Sequence, residues 1–325
     1  MKLSVLPDQN YYNCFHNNIY TCANYFKKEL TLLFSTALNF IYHPDSKTCG
    51  ESIYQYYSQP NGEMPESTNE LLYKYNGVRI ALQQNLTWNE FINIAEEEEE
   101  IHQRPVVLHF DTFYAPWNNL YSKQHSSEFI IIIQIGNDNI TMFDPYHKKE
   151  KIALSKEQLR NSLTDKINVW KFELNESTSM LNSNVILNHI KNYYSTNNHY
   201  TVLIKKFAEK TLKTFDYETE ILAFEEIEES PMIKNLKQLS YFRLVHIEFL
   251  KKIFEFIDDT NNKEKIQKAI SLLNYSIQIW DKLRAVLIYK NIRKDYSSKN
   301  EWMFNKLNEI VDFESEVLSI YSQFS

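Results

Sequence analysis

Cys14 is the residue of this sequence whose type and position best suit covalent chemistry. It follows Asn13, a residue type that commonly caps helices, and it opens an amphipathic segment that runs to Phe26. The partial positive charge at a helix N-terminus favours the thiolate, which is the reactive form of cysteine. Position alone leaves a structural role open. The other cysteines are weaker candidates, because Cys22 lies on the apolar stripe and Cys49 lies in a loop beside a glycine.

A cysteine nucleophile needs a base, and His125 together with Asp144 can supply one. His125 precedes an apolar strand predicted over residues 129–135, and Asp144 ends the return strand. A base in the entry loop and a carboxylate at the end of the next strand can meet at one edge of a sheet, where the carboxylate orients the imidazole. A tight hairpin puts Asp144 opposite Ile130 or Ile131, so the loop around His125 must fold back or a bulge must shift the register.

Other residues near this site have weaker claims to the role of base. His16 follows Cys14 by two positions and therefore points to the opposite side of a helix. His109 and His147 are rival bases, although a strand end or the surface explains each of them as well. The hairpin register brings Glu128 nearer to the site, but glutamate has no imidazole and could not take the place of the histidine base.

The site also needs donors for an oxyanion, and we expect it to work without a metal or a cofactor. The backbone N–H of Cys14 and the side-chain amide of Gln9 can form the oxyanion hole. The four glycines cannot compose a phosphate-binding loop, which excludes Rossmann, P-loop and kinase classes. No closely spaced pair of metal ligands occurs among His16, His43, Cys49, His102 and His109.

Composition bounds the class of protein. A length of 325 residues allows about two domains, and 22 Tyr with 20 Phe argue against disorder. A net charge of -7 argues against nucleic acid as a partner. The sequence shows no signal peptide and no apolar stretch of membrane-spanning length, and its three cysteines make no disulfide framework. We therefore expect a cytoplasmic protein with no membrane partner.

The chain divides into an α+β part and a mostly helical part. All four glycines and six of the eight prolines precede residue 137. Helices are predicted over residues 14–26 and 88–95, and strands over 106–110, 129–135 and 140–143, the last two as a hairpin. From residue 155 onward the apolar spacing is helical, most clearly at Ile266, Ile270, Leu273, Ile277, Trp280 and Leu287. We predict an α+β catalytic domain over residues 1–150 and a mostly α-helical domain over residues 151–325.

Several segments resemble the butirosin side-chain acyltransferase family. They are NCFH at residues 13–16, HFDTFYAPW at residues 109–117, and the region 121–144 with its isoleucine-rich strand and final aspartate. That family is similar to papain-fold cysteine peptidases, including the peptidase domains of bacteriocin transporters. The resemblance covers residues 14 to about 150 and implies a papain-like fold for the N-terminal domain.

The resemblance also implies roles for individual residues. It implies a catalytic triad formed by Cys14, His125 and Asp144. It also implies an acyl pocket formed by Asp111, Tyr114 and Trp117. The three pocket residues could equally anchor a buried loop. Two features depart from the family: Glu128 stands where many relatives have a histidine directly before the strand, and residues 135–138 replace a Gly-Tyr-Asp-like turn.

Amide formation by acyl transfer is the leading functional hypothesis. Family members act in bacterial secondary metabolism on thioester-bound acyl chains, which implies transfer from a carrier-protein thioester through Cys14 to a small amine. Hydrolysis, by a peptidase or a thioesterase, would use the same triad, and the sequence does not separate water from an amine as acceptor. A degenerate papain-like module that binds a carrier or a peptide is the non-enzymatic alternative, favoured by Glu128 at the usual position of the base.

Overall fold

The computed structural model describes residues 1, 3–4, 13–54, 66–123, 125–163, 166–294 and 300–324, and the fold is mixed α+β. The chain forms two compact units. Unit 1 comprises Met1–Leu30 and Asn61–Met180, and unit 2 comprises Thr31–Pro60 and Leu181–Ser325. None of the helices within the described ranges is long and apolar enough to cross a membrane.

The first part of the chain contains both strands and helices, and helices follow in the second part. The strands are β1 (Ile41–Tyr42), β2 (Ile53–Tyr54), β3 (Val78–Leu86), β4 (Val106–Asp111), β5 (Ser127–Ile135), β6 (Asn139–Asp144), β7 (Lys149–Ser155) and β8 (Ile167–Leu174). The helices are α1 (Cys14–Tyr25), α2 (Glu66–Leu71), α3 (Trp88–Glu100), α4 (Lys156–Asn161), α5 (Ser183–Thr196), α6 (Tyr200–Thr214), α7 (Pro231–Phe256), α8 (Thr260–Arg293) and α9 (Asn300–Ser322).

Unit 1 contains a six-stranded antiparallel sheet with the strand order β3-β8-β4-β5-β6-β7. The predicted hairpin is confirmed, since β5 pairs with β6 across the turn at residues 136–138. Ile131 pairs with Phe143 and Ile132 with Met142. This register agrees with the expected position of Asp144, which follows Phe143 at the end of β6.

Strand β8 lies in a region where the sequence predicts only helices. It forms the strand between β3 and β4, and Val169, Trp170 and Phe172 are buried there. The β-branched and aromatic residues of β8 suit a strand that has neighbours on both sides. Unit 1 therefore includes β8 and continues to Met180.

The two faces of the sheet carry different helices. Helix α1 lies on one face, where the ring of Phe15 is 4.9 Å from that of Phe129 and 5.3 Å from that of Trp170. Helix α3 lies on the other face, where Phe91 joins a core cluster that includes Ile130. Successive strand residues point to opposite faces, so Phe129 and Ile130 contact different helices.

Unit 2 is a helical assembly with a polar group at its centre. The predicted stripe of α8 is buried at Ile266, Leu273, Trp280 and Leu287. The guanidinium of Arg243 on α7 donates two hydrogen bonds, of 2.8 and 2.9 Å, to the carboxylate of Glu314 on α9. Both side chains are fully buried, so this pair links two core helices without contact with solvent.

Candidate active site

Cys14 is the first residue of α1, and the start of that helix is fixed to strand β5. The side chain of Asn13 caps the helix by accepting the backbone N–H of His16 at 2.9 Å. Asn18 donates its side-chain amide to the carbonyl oxygen of Cys14 at 2.6 Å and to that of Phe129 at 3.0 Å. This buried amide therefore holds the first turn of α1 against the beginning of β5.

The sulfur of Cys14 is surrounded by both acidic groups and backbone donors. Burial, then the carboxylate of Glu128 and, more weakly, that of Asp144, raises the pKa of Cys14 to about 12. Hydrogen bonds from the backbone N–H groups of Phe129 and Phe15 act against this rise. With a pKa near 12, on the order of 1 in 10⁵ of the thiols is ionised at pH 7. The resting group is the thiol, although part of the residue is exposed.

Glu128, Asp144 and His147 form a compact cluster, and two of its members interact with Cys14. One ligand atom from each of the three residues lies within 4.8 Å of the others. The Nε2 atom of His147 lies 3.1 Å from Oε2 of Glu128. The fully buried Asp144 accepts the backbone N–H of His147 at 3.0 Å through Oδ1. The cluster thus combines two carboxylates and one imidazole, and both carboxylates raise the pKa of the Cys14 thiol.

The segment that follows β4 supplies further contacts to this cluster. Trp117 donates its indole N–H to Oδ2 of Asp144 at 2.8 Å. The amide nitrogen of Asn118 lies 3.2 Å from Nε2 of His147, and its Oδ1 accepts the backbone N–H of Leu120 at 2.9 Å. The latter bond fixes which end of the amide faces the imidazole.

The pKa shifts in the cluster follow from burial and mutual charge. Burial raises the pKa of Asp144, while N–H groups of His147 and Trp117 act in the opposite direction. The pKa of His147 is raised chiefly by its hydrogen bond to Glu128. Burial and the nearby Cys14, Glu128 and Asp144 raise the pKa of Tyr146, a half-exposed residue. Tyr146 therefore also belongs to the surroundings of Cys14.

His125, the base of the predicted triad, lies in a second group of hydrogen-bonded residues. Its Nδ1 is 2.6 Å from Oδ2 of Asp111, and its ring stacks on Phe113 with the ring centroids 4.3 Å apart. Asp111 also accepts the backbone N–H groups of Phe113 and Ser126. Tyr114 is partly exposed, with its ring 6.3 Å from that of His125.

The structure thus separates residues that the sequence grouped together. Asp144 lies with Trp117 and His147, whereas His125 lies with Asp111 at the end of β4. The reason is the register of the sheet, since Asp111 pairs with Ser127, two residues after His125. Gln9, the predicted oxyanion donor, lies outside the described residues.

Two comparisons with known proteins, one with family models and one with curated sequences, give no match. The resemblance described above therefore stays a prediction that rests on the residues quoted for it.

The rival histidines have distinct environments. His16 is buried in α1, and burial lowers its pKa to about 3. Burial also lowers the pKa of His109, whose ring lies 5.2 Å from that of Phe129. His147, by contrast, is hydrogen-bonded to Glu128, a carboxylate that raises the pKa of Cys14.

The sequence around Asp144 contains a local signal for the position of His147. Asp144 precedes a proline, and its side chain accepts the N–H of the residue three positions later. Aspartate at the start of such a turn commonly bonds the backbone in this way. This turn places the backbone N–H of His147 at Asp144 and its imidazole at Glu128.

Proposed function

We propose that this protein is an acyltransferase that forms amides, with Cys14 as its nucleophile and a papain-like arrangement in unit 1. The observation that carries the proposal is the setting of the Cys14 sulfur. It accepts the N–H of Phe129 at the start of β5, and its pKa is raised by the charge of Glu128, whose carboxylate contacts His147. A cysteine at a helix N-terminus with an acid–base pair beside it suits nucleophilic catalysis.

The thiol proton needs an acceptor while the sulfur attacks, because so little thiolate exists at rest. Glu128 is the carboxylate with the larger effect on Cys14, and its Oε2 contacts Nε2 of His147. We propose that the proton moves from Sγ to Glu128 and that His147 shares it through this contact. The raised pKa of His147 makes its imidazole a stronger proton acceptor and therefore supports this route.

The reaction proceeds in two acyl-transfer steps. Sγ forms a bond to the carbonyl carbon of a carrier-protein thioester, and the carrier thiol leaves with the proton that Cys14 gave up. An amine then attacks the acyl-cysteine, its proton returns to the departing sulfur of Cys14, and the amide is released. The backbone N–H of Cys14, in the first turn of α1, can stabilise the oxyanion in both steps. The thioester bond drives amide formation, so no nucleotide is needed.

Mass spectrometry of the intact protein tests the proposal. Wild-type protein incubated with an acyl-loaded carrier and no amine should gain the mass of the acyl group, and added amine should remove it as the amide. Cys14→Ala should gain no mass, while Cys49→Ser, which changes a buried cysteine of unit 2, should behave as wild type. Acylation of the Cys14→Ala protein at the wild-type rate would refute the proposal, and release of free acid alone would show hydrolysis.

A non-catalytic binding module is the second candidate, and the high pKa of Cys14 favours it. A thiol ionised so weakly reacts slowly with a simple alkylating agent. Iodoacetamide distinguishes the two functions if it is used with and without an acyl-carrier mimic that cannot react. An enzyme should show altered labelling of Cys14 when the mimic occupies the site. It should also turn over the true thioester. A binding module should show protection of Cys14 without turnover.

A further inference from the structure

The Glu128–Asp144–His147 cluster has the composition of a metal site. It offers two carboxylate oxygens and one imidazole nitrogen, which are ligand atoms that Zn²⁺ accepts. The three residues come from the start of β5, the end of β6 and the turn after it. Glu128 and Asp144 lie on different strands of the antiparallel hairpin of β5 and β6, which brings them together.

One distance in the cluster is close to the separation of two ligands around a bound ion. Ligands that lie about 2.1 Å from a tetrahedral Zn²⁺ are separated from each other by roughly 3.4 Å. His147 Nε2 and Glu128 Oε2 are already 3.1 Å apart, and the widest separation in the cluster is no more than 4.8 Å. Small side-chain rotations would therefore be enough to bring all three ligand atoms to one ion.

The hydrogen bonds of the cluster leave lone pairs available and orient the ligands. Each oxygen of the Asp144 carboxylate accepts one N–H, from His147 or from Trp117, and a carboxylate oxygen has two lone pairs. Such partners behind a ligand hold it in the geometry that a metal needs. Asp144 is fully buried, which gives its negative charge little relief from solvent.

The charges of the cluster favour a cation. Glu128 and Asp144 bring two carboxylates close together, and Asp144 is fully buried. The described hydrogen bonds of Asp144 come from neutral N–H groups of Trp117 and His147, which leave its negative charge in place. A divalent cation held by both carboxylates would offset their repulsion.

We propose that Glu128, Asp144 and His147 bind one divalent cation of the Zn²⁺ type, with a coordination position left open by the three protein ligands. This goes beyond the proposed acyl transfer. Because the ion occupies both ends of the Glu128–His147 contact, the cation and the proton compete for the same atoms. Zn²⁺ should therefore inhibit any reaction that depends on proton transfer between these two residues.

Zinc binding can be measured without reference to acyl transfer by using the Cys14→Ala protein, which retains all three ligands. The metal-free protein is titrated with Zn²⁺ against a chromophoric chelator. We expect one Zn²⁺ per chain, with affinity reduced at least 10-fold in Glu128→Gln and in His147→Gln. His102→Asn is the matched control, because Nε2 of His102 lies 3.9 Å from Oε1 of Glu97 and both side chains are exposed at the surface. Its affinity should be unchanged.

The folded state of the variants is checked by thermal unfolding in the same buffers. Zn²⁺ should raise the unfolding temperature of Cys14→Ala and of His102→Asn but not that of the two ligand variants. If Cys14→Ala binds Zn²⁺ no more tightly than Glu128→Gln and His147→Gln do, the metal site is refuted. The contact between Glu128 and His147 is then an ordinary hydrogen bond. Failure of acyl transfer in the wild-type protein would leave this result unaffected.

Discussion

Nε2 of His147 lies 3.1 Å from Oε2 of Glu128, although the two residues are 19 positions apart in the chain. The pairing depends on the hairpin of β5 and β6, which returns the chain to its starting edge. It sets an imidazole behind the carboxylate that most affects Cys14. The order thiol, carboxylate, imidazole differs from a triad in which the imidazole contacts the thiol directly.

Glu128→Gln should change the acidity and the activity of Cys14 in opposite directions. Loss of the neighbouring negative charge should lower the pKa of Cys14 from about 12, because the thiolate is no longer repelled. Acylation should nevertheless slow by about 100-fold or more, because the proton acceptor is lost. Ultraviolet titration of the thiolate and single-turnover acylation measure the two effects. Glu97→Gln, which alters an exposed acid on α3, is the control, and faster acylation by Glu128→Gln would contradict the relay.

Matched substitutions of His147 and His125 identify the histidine that takes part in proton transfer. His147→Gln should reduce acylation by roughly 100-fold or more. His125→Gln should reduce it much less, because His125 is mostly exposed and bonds to Asp111. Acylation rates measured across a range of pH distinguish a catalytic effect of a substitution from an effect on folding. Only loss of the catalytic base removes the ionisation of that base from the pH–rate profile. A larger loss in His125→Gln would instead support the triad predicted from sequence.

Buried neutral histidines should make the protein sensitive to mild acid. Burial lowers the pKa of His16 and of His246 to about 3, whereas the ordinary value is 6.5. The unfolded chain then binds more protons than the folded one between these values. Stability should be fully present above pH 6.5 and should fall as the pH drops towards 3, by up to about 1.4 kcal/mol per pH unit for each histidine.

Urea unfolding between pH 7.5 and 4.5 measures this dependence, and His246→Gln provides the comparison. His246 contacts the carbonyl of Phe34 and the hydroxyl of Tyr321, both at 2.8 Å, and a glutamine amide can offer one donor and one acceptor. The variant should be less stable at pH 7.5 but should lose less stability on acidification. An equally steep loss in the variant would show that other groups control the acid response.

Breaking the buried ion pair of unit 2 should strongly destabilise the protein. Arg243→Met leaves Glu314 charged and fully buried, with hydrogen bonds from Ser276 and Trp280 still present. We expect a loss of about 3–5 kcal/mol in the free energy of unfolding. A double variant with Glu314→Leu should recover much of that loss, because no charge remains unpaired. Chemical denaturation of the wild type, the two single variants and the double variant gives the coupling energy between Arg243 and Glu314. Additive losses in the double variant would contradict this prediction.

The sequence predicts features that depend on neighbouring residues better than features that depend on distant ones. The hairpin is predictable because a run of isoleucines and a turn lie side by side. Strand β8 escapes prediction because it pairs with β3 and β4, which precede it by many residues. Its strand character is decided by those partners rather than by local spacing.

The same distinction holds at the site. The helix start at Cys14 and the position of Asp144 at the end of β6 follow from local patterns. The partner of His125 could not be predicted, because Asp111 reaches it only through the pairing of β4 with β5. His147 depends on two conditions at once, a turn held by Asp144 and a strand that carries Glu128 back to that turn.

Residues Thr31–Pro60 belong to unit 2 although they follow α1 of unit 1, and this has a consequence for synthesis on the ribosome. The backbone N–H groups of Cys49 and Gly50 donate to the carboxylate of Glu220, and the carbonyl of Gly50 accepts from Asn235. Glu220 lies 171 residues after Cys49. At a synthesis rate of about 5–20 residues per second, roughly ten to thirty seconds pass between the synthesis of Cys49 and that of Glu220. During that interval the apolar side chains of the nascent segment are available to chaperones.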